Sequence, residues 1–230
     1  MMEHISLIRH KKNGVSMVEL IAYVALYGVV MSLLASLVFV IVQAARKVNS
    51  QAILNRGATI MYTEILSQTI SLNPDTVSDV TYTTGADGKP TSVSVTFSKV
   101  YGYAESDNET HSDGKGGTKK YNAGERYPLD TPSTVTYTFY KKDSAPTGKK
   151  DDTIYVNRNG SESTISLEYG MTISSASNDD DITNCIQVAT QNSSNKYVTF
   201  NGFLHFDKKT LEFNFIIPVF VASLPDETNP

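Results

Sequence analysis

Charge disappears from the chain between Glu19 and Arg46, and the residues in between are dominated by Leu, Val, Ile, Ala and Tyr. About 20 apolar residues span a bilayer as a helix, so this stretch is long enough to cross one with some tilt. After Val42 the pattern turns amphipathic with no turn signal. Leu54, Ala58, Met61, Ile65 and Leu72 recur at helical spacing, Ile53 and Ile60 widen the stripe, and Arg46, Lys47, Asn49, Asn55, Arg56 and Glu64 fall between them. The pattern predicts one helix from about Ser16 to about Leu72, about 80 Å long at 1.5 Å per residue. Asn73-Pro74 ends it, because proline disfavours helix in the residue before it.

From Val77 the periodicity changes from helical to alternating. Val80 and Tyr82, then Gly85-Ala86-Asp87-Gly88-Lys89-Pro90, then Val93, Val95 and Phe97 read as a hairpin. Tyr101 to Pro132 carries few apolar residues and is expected to be a long exposed loop. Val135, Tyr137 and Phe139 alternate as a strand, followed by Ile154 and Val156. A tight turn at Asn157-Arg158-Asn159-Gly160 leads to Ile165 and Leu167, then Met171 and Ile173. Cys185 to Thr190, Tyr197 to Phe206 and Leu211 to Val221 complete the sheet, with Asp207-Lys208-Lys209-Thr210 joining the last two. Phe213 and Phe215 alternate with Glu212 and Asn214, which predicts one buried face. The fold class expected is α+β: a long N-terminal helix, apolar in its first half and amphipathic in its second, packed on an antiparallel β-sheet domain.

Composition narrows the choice. The 230 residues contain no Trp, one Cys and a charged fraction of 19%, which suits a β domain with polar loops outside the cytoplasm. The net charge of -4 supplies no basic footprint, so neither nucleic acid nor a small molecule is called for as a partner. Cys185 has no second cysteine to pair with and is expected to behave as a small buried hydrophobe. Lys and Arg before the apolar run place the N-terminus in the cytoplasm and the C-terminal body across the membrane.

Glu19 is the anomaly, since a carboxylate just inside an apolar segment costs a few kcal/mol unless it is paired. With Gly14 before it, it resembles the class III signal sequence of type IV pilins and of the pseudopilins of type II secretion and competence systems. There a basic leader ends in Gly, a prepilin peptidase cuts after it, and the fifth mature residue is Glu. Here Arg9, His10, Lys11 and Lys12 precede Gly14, Val15 would be the new N-terminus, and Glu19 stands fifth. Val15 departs from the usual Phe or Met. Ser36 stands where major pilins often have Pro, while Gly28 falls where many have Gly.

The resemblance implies residues 1–14 as leader, 15–45 as transmembrane and assembly helix, 46–73 as amphipathic half and 74–230 as the head. It implies cleavage between Gly14 and Val15, N-methylation of Val15, and assembly with sister subunits through Glu19, which would meet the amine of a neighbouring Val15. It also implies residence in the cytoplasmic membrane, then in a surface or periplasmic filament. The lone Cys departs from pilins that close a loop with a disulfide and points toward a pseudopilin or a Gram-positive pilin. Two rivals stand beside it. One is a binding module tethered by the helix; the other is a secreted protein cut by an ordinary signal peptidase near Val42-Gln43-Ala44.

Other constellations weigh little. Asp179, Asp180 and Asp181 form an acidic run able to offer oxygen to calcium, but without the glycine and glutamate spacing of an EF-hand loop. His205 lies in a strand beside Phe203 and Phe206 and reads as a core or interface residue. Tyr23 and Tyr27 share a helical face inside the apolar run. No zinc signature, P-loop, nucleophile elbow or dinucleotide fingerprint occurs, so neither catalysis nor a cofactor is expected. Asn-x-Ser/Thr sequons at Asn108, Asn159 and Asn192 are what chance supplies in so Asn- and Ser-rich a chain.

Overall fold

A computed structural model describes residues 16–167, 169–177, 181–190 and 195–220. It contains one long helix, α1 (Met17–Leu72), followed by antiparallel strands, an α+β chain. The chain divides into two compact units, residues 1–48 and residues 49–230.

In the first unit every described side chain is exposed, including Leu20, Val29, Leu37 and Phe39. No described residue covers this apolar surface. In the second unit α1 buries Leu54, Gly57, Met61, Ile65, Thr69 and Leu72. Their spacings of three and four residues draw a single stripe. The helix stops at Asn73, which adopts the left-handed conformation with φ 49° and donates its amide to Thr69 O and Ile70 O. Asparagine tolerates that geometry, and Pro74 cannot continue a helix.

Twelve strands follow among the described residues. The larger sheet takes β1 (Thr76–Val77), β2 (Thr81–Thr84), β3 (Pro90–Tyr103), β6 (Arg126–Tyr140), β7 (Thr153–Arg158) and β8 (Ser161–Ser166), in the order β1-β3-β6-β7-β8, with β2 also on β3. The smaller takes β9 (Thr172–Ser174), β10 (Ile186–Thr190), β11 (Asn195–Phe206) and β12 (Lys209–Phe220), in the order β10-β11-β12, with β9 also on β11. All pairings are antiparallel. β11 and β12 pair along their whole length across a turn of only Asp207 and Lys208, two residues shorter than the expected connection. Asp207 takes φ 56°, as a tight hairpin turn requires.

Leu54, Met61 and Ile65 of the helix share one buried cluster with Val95, Phe97, Tyr137 and Phe139 of the larger sheet and Val198, Phe200 and Leu204 of the smaller. Cys185, one residue before β10, is fully buried in the same cluster, as its apolar neighbours implied.

The expected loop from Tyr101 to Pro132 is corrected. β3 and β6 continue through it, pairing Tyr101 with Pro128 and Tyr103 with Arg126, and between them stands a small hairpin of β4 (Glu109–Ser112) and β5 (Thr118–Tyr121). The cause is aromatic and carboxylate chemistry that hydropathy does not register. The Tyr127 ring lies against Gly102, where an added Cβ would fall 2.5 Å from it, and His111 stacks on Tyr127 at 3.5 Å and 2°. Arg126 sits 4.2 Å above the Tyr101 ring. At the irregularity between Lys99 and Tyr101, both oxygens of Asp75 accept backbone amides, from Val100 and Tyr101, at 2.9 Å each.

Candidate functional site

The sequence points to the start of α1. Ser16 caps it: Glu19 N donates to Ser16 Oγ at 3.3 Å, and Ser16 N donates to Glu19 Oε2 at 3.3 Å. This reciprocal pair is a capping box, which satisfies two of the amides that a helix N-terminus leaves without partners. The Ser-x-x-Glu signature was legible in the sequence and escapes notice only because the apolar run draws attention to the charge. Gly14 and Val15, the cleavage positions, lie outside the described residues.

Beyond Glu19 the helix offers no charge until Arg46, and the stretch is long and apolar enough to cross a membrane. One of its hydroxyls is satisfied by its own helix. Ser36 Oγ donates to Leu33 O at 2.8 Å, which removes a hydroxyl that hydrocarbon would leave unpaired. Tyr23 and Tyr27 are exposed, and a Cβ on Gly28 would meet nothing within 4 Å. The described surface is open, mostly apolar and uncharged, with one carboxylate at its head. It can enter lipid or pack against another apolar helix.

The acidic run is only partly visible. Asp179 and Asp180 lie outside the described residues. The Asp181 carboxylate accepts the hydroxyl and the amide of Thr183, and the hydroxyl bond holds it below the usual carboxylate range. Among the described residues no group of three His, Cys, Asp or Glu side chains is placed to hold a metal. Close by, Tyr82 Oη donates to Thr183 O at 2.5 Å, and burial pushes that phenol upward. Burial, and then the Asp181 charge, pushes the Cys185 thiol up to about 12, so the thiolate that would react is suppressed.

His205 is half-buried and its Nε2 lies 2.5 Å from Ser174 Oγ, which is also 2.5 Å from Ala176 O. A serine has one proton, so when Ser174 donates to Ala176 the imidazole must carry hydrogen on Nε2. Ser174 is 1% exposed, out of reach of a substrate. His111 instead bonds Glu109 at 2.9 Å. That carboxylate also takes the amides of Glu105 and Ser106 and the Ser106 hydroxyl, and the His111 bond leads in holding its pKa down at about 2.

No family model, no curated protein and no solved structure matches this chain.

Proposed function

We propose that this chain is a structural subunit, a minor pilin or pseudopilin, of a type IV pilus, type II secretion or competence filament. A prepilin peptidase cuts it between Gly14 and Val15, and it assembles through α1. The observation that carries the reading is the open, uncharged helix surface headed by Glu19, in register with Gly14. In this scheme the first half of α1 resides in the cytoplasmic membrane before assembly and among sister helices afterwards. Its second half is laid on the β domain, which stands outside the membrane as the head. The size of that head and its added β4–β5 hairpin fit a low-abundance subunit near the filament tip.

Assembly brings the α-amine of Val15 in a second copy to Glu19. The Ser16 amide occupies one lone-pair direction of Oε2, and a carboxylate has about four acceptor positions, so an ammonium can join without breaking the cap. In a dry bundle each charge relieves the other's desolvation, and removing one strands its partner at about 3 to 5 kcal/mol. Such a pair sets axial register.

The capping box also favours a second reading. A carboxylate already held by its own helix needs no external partner, which suits a binding module tethered by α1. N-terminal sequencing and intact mass of the protein from cells with and without prepilin peptidase separate the two. A peptidase-dependent start at Val15 supports the filament subunit, an uncut leader supports the tether, and a start near Ala45 overturns both.

A further inference from the structure

Three sequons that are equivalent in sequence are not equivalent in structure, and we infer that Asn108 is an acceptor for N-linked glycan. Asn159 is held on both sides: its Oδ1 accepts Thr134 N at 2.6 Å and its own amide donates to Thr134 O at 3.1 Å. It sits with φ 51° in the turn between β7 and β8, so bringing its carboxamide to an enzyme would break that turn. Asn192 lies outside the described residues.

Asn108 is different in each respect. It is exposed, it occupies the turn just before β4 with φ 63°, and its carboxamide has no hydrogen-bond partner among the described residues. Thr110, the hydroxyl residue of the sequon, is exposed as well, and its hydroxyl bonds nothing among the described residues. Alternation along β4 turns Glu109 and His111 together to one face, where they bond each other, and turns Thr110 to the other. The turn itself is held without the acceptor: Glu109 takes the amides of Glu105 and Ser106, and Asp107 takes the amide of Ala123. Asn108 thus leaves both groups an N-glycosylating enzyme reads, the carboxamide and the hydroxyl two residues on, free on an exposed, hydrogen-bonded turn.

The chemistry needs a lipid-linked sugar pyrophosphate as donor. Asn108 Nδ2 forms a C–N bond to the anomeric carbon while the C–O bond to the pyrophosphate breaks. The lipid pyrophosphate departs with the bonding pair, and the amide proton passes to a base of the transferase. The inference rests on the head being exported, since such donors deliver sugar on the outer side of the membrane.

The test is site-resolved mass spectrometry of the full chain recovered from its native cells. Tryptic cleavage after Lys99 and Lys115 yields a peptide whose one Asn is Asn108. Added hexose or hexosamine mass on that peptide, abolished by Asn108→Gln and by Thr110→Val but kept in Thr110→Ser and Asn159→Gln, is the expected result. Unmodified Asn108, or sugar that survives Asn108→Gln and so sits on a hydroxyl, overturns the inference. Protease accessibility of the head on intact cells then tells whether the export reading has fallen with it.

Discussion

Tyr137 Oη and Thr69 Oγ1 lie 2.9 Å apart in the core, and each also reaches the Ile65 carbonyl, at 3.0 and 2.8 Å. Three oxygens share two protons, so two of the three contacts are made at any instant and no group is left without a bond. Sixty-eight residues separate the two side chains. Removing the phenol oxygen in Tyr137→Phe is expected to cost about 1 kcal/mol, because Thr69 keeps Ile65 as an acceptor. Thr69→Val leaves Tyr137 the same acceptor and should cost no more. Thermal unfolding of the full chain in detergent checks both.

Alkali should weaken the same core. Burial raises Tyr137 from 10.0 to about 12, against a smaller lowering by the Thr69 bond. A raised folded pKa means the unfolded phenol ionises first, so stability is complete below pH 10, falls through the interval and is lower by about 3 kcal/mol above pH 12. Cys185, raised from 9.0 to about 12, acts in the same direction from a lower onset. The unfolding midpoint should drop steeply above pH 9, and Tyr137→Phe should flatten the part above pH 10. The Cys185 thiol should resist a thiol reagent in the native protein and react on denaturation.

Gly57 is expected to reject a methyl group. Mid-helix Gly to Ala normally stabilises by about 1 kcal/mol. A Cβ here would meet Met171 Cε and lie 2.7 Å from Met171 Sδ, and Met171 is 1% exposed. Overpacking of that kind costs about 1 to 3 kcal/mol. Gly57→Ala should therefore lower Tm, and adding Met171→Ala should cost less than the sum of the two single changes. Strict additivity in unfolding curves would refute the contact.

Glu19 has two roles that Gln separates. Glu19→Gln keeps oxygen acceptors for the Ser16 amide but removes the charge, whereas Ser16→Ala removes the hydroxyl cap and keeps the charge. Amide exchange at Met17 to Leu20 in detergent should quicken for Ser16→Ala, by about 1 kcal/mol of opening free energy, and change little for Glu19→Gln. Filament incorporation should fail for Glu19→Gln if the charge sets register, and persist if α1 is only a tether.

The β4–β5 hairpin should survive acid. With the Glu109 pKa held at about 2, chiefly by His111, its clasp is complete above the ordinary carboxylate range and is lost only as pH falls through about 2. The shift in His111 ring resonances produced by the Tyr127 stack should persist to pH 3 in the wild type and vanish at every pH in Glu109→Ala.

The strands and helix that could be read in advance are those whose burial follows a simple period. Leu54, Met61 and Ile65 recur at helical spacing and are fully buried; Val93, Val95 and Phe97 alternate and are buried. What could not be read depends on contacts between distant residues. Nothing local says that Gly57 faces Met171, that Thr69 is buried against Tyr137, or that Tyr127 lies on Gly102 beneath His111. The apparent loop from Tyr101 to Pro132 hid two strand extensions because polar aromatics, an arginine and hydrogen-bonded carboxylates stand there in place of aliphatic side chains. At the candidate site the reverse holds: the charge-free run and the position of Glu19 are sequence facts, and the local structure added the bond to Ser16.

Among the described residues β12, a strand of twelve, pairs with β11 alone in its sheet, and its outer margin of backbone is one that another chain could extend. Its outward residues Glu212, Asn214, Ile216 and Pro218 are exposed. Pro218 has no amide to donate and Glu212 resists stacking with its own copy, so a run as apolar as Phe213 to Phe220 is kept from zipping into aggregates wherever copies of the chain are crowded together.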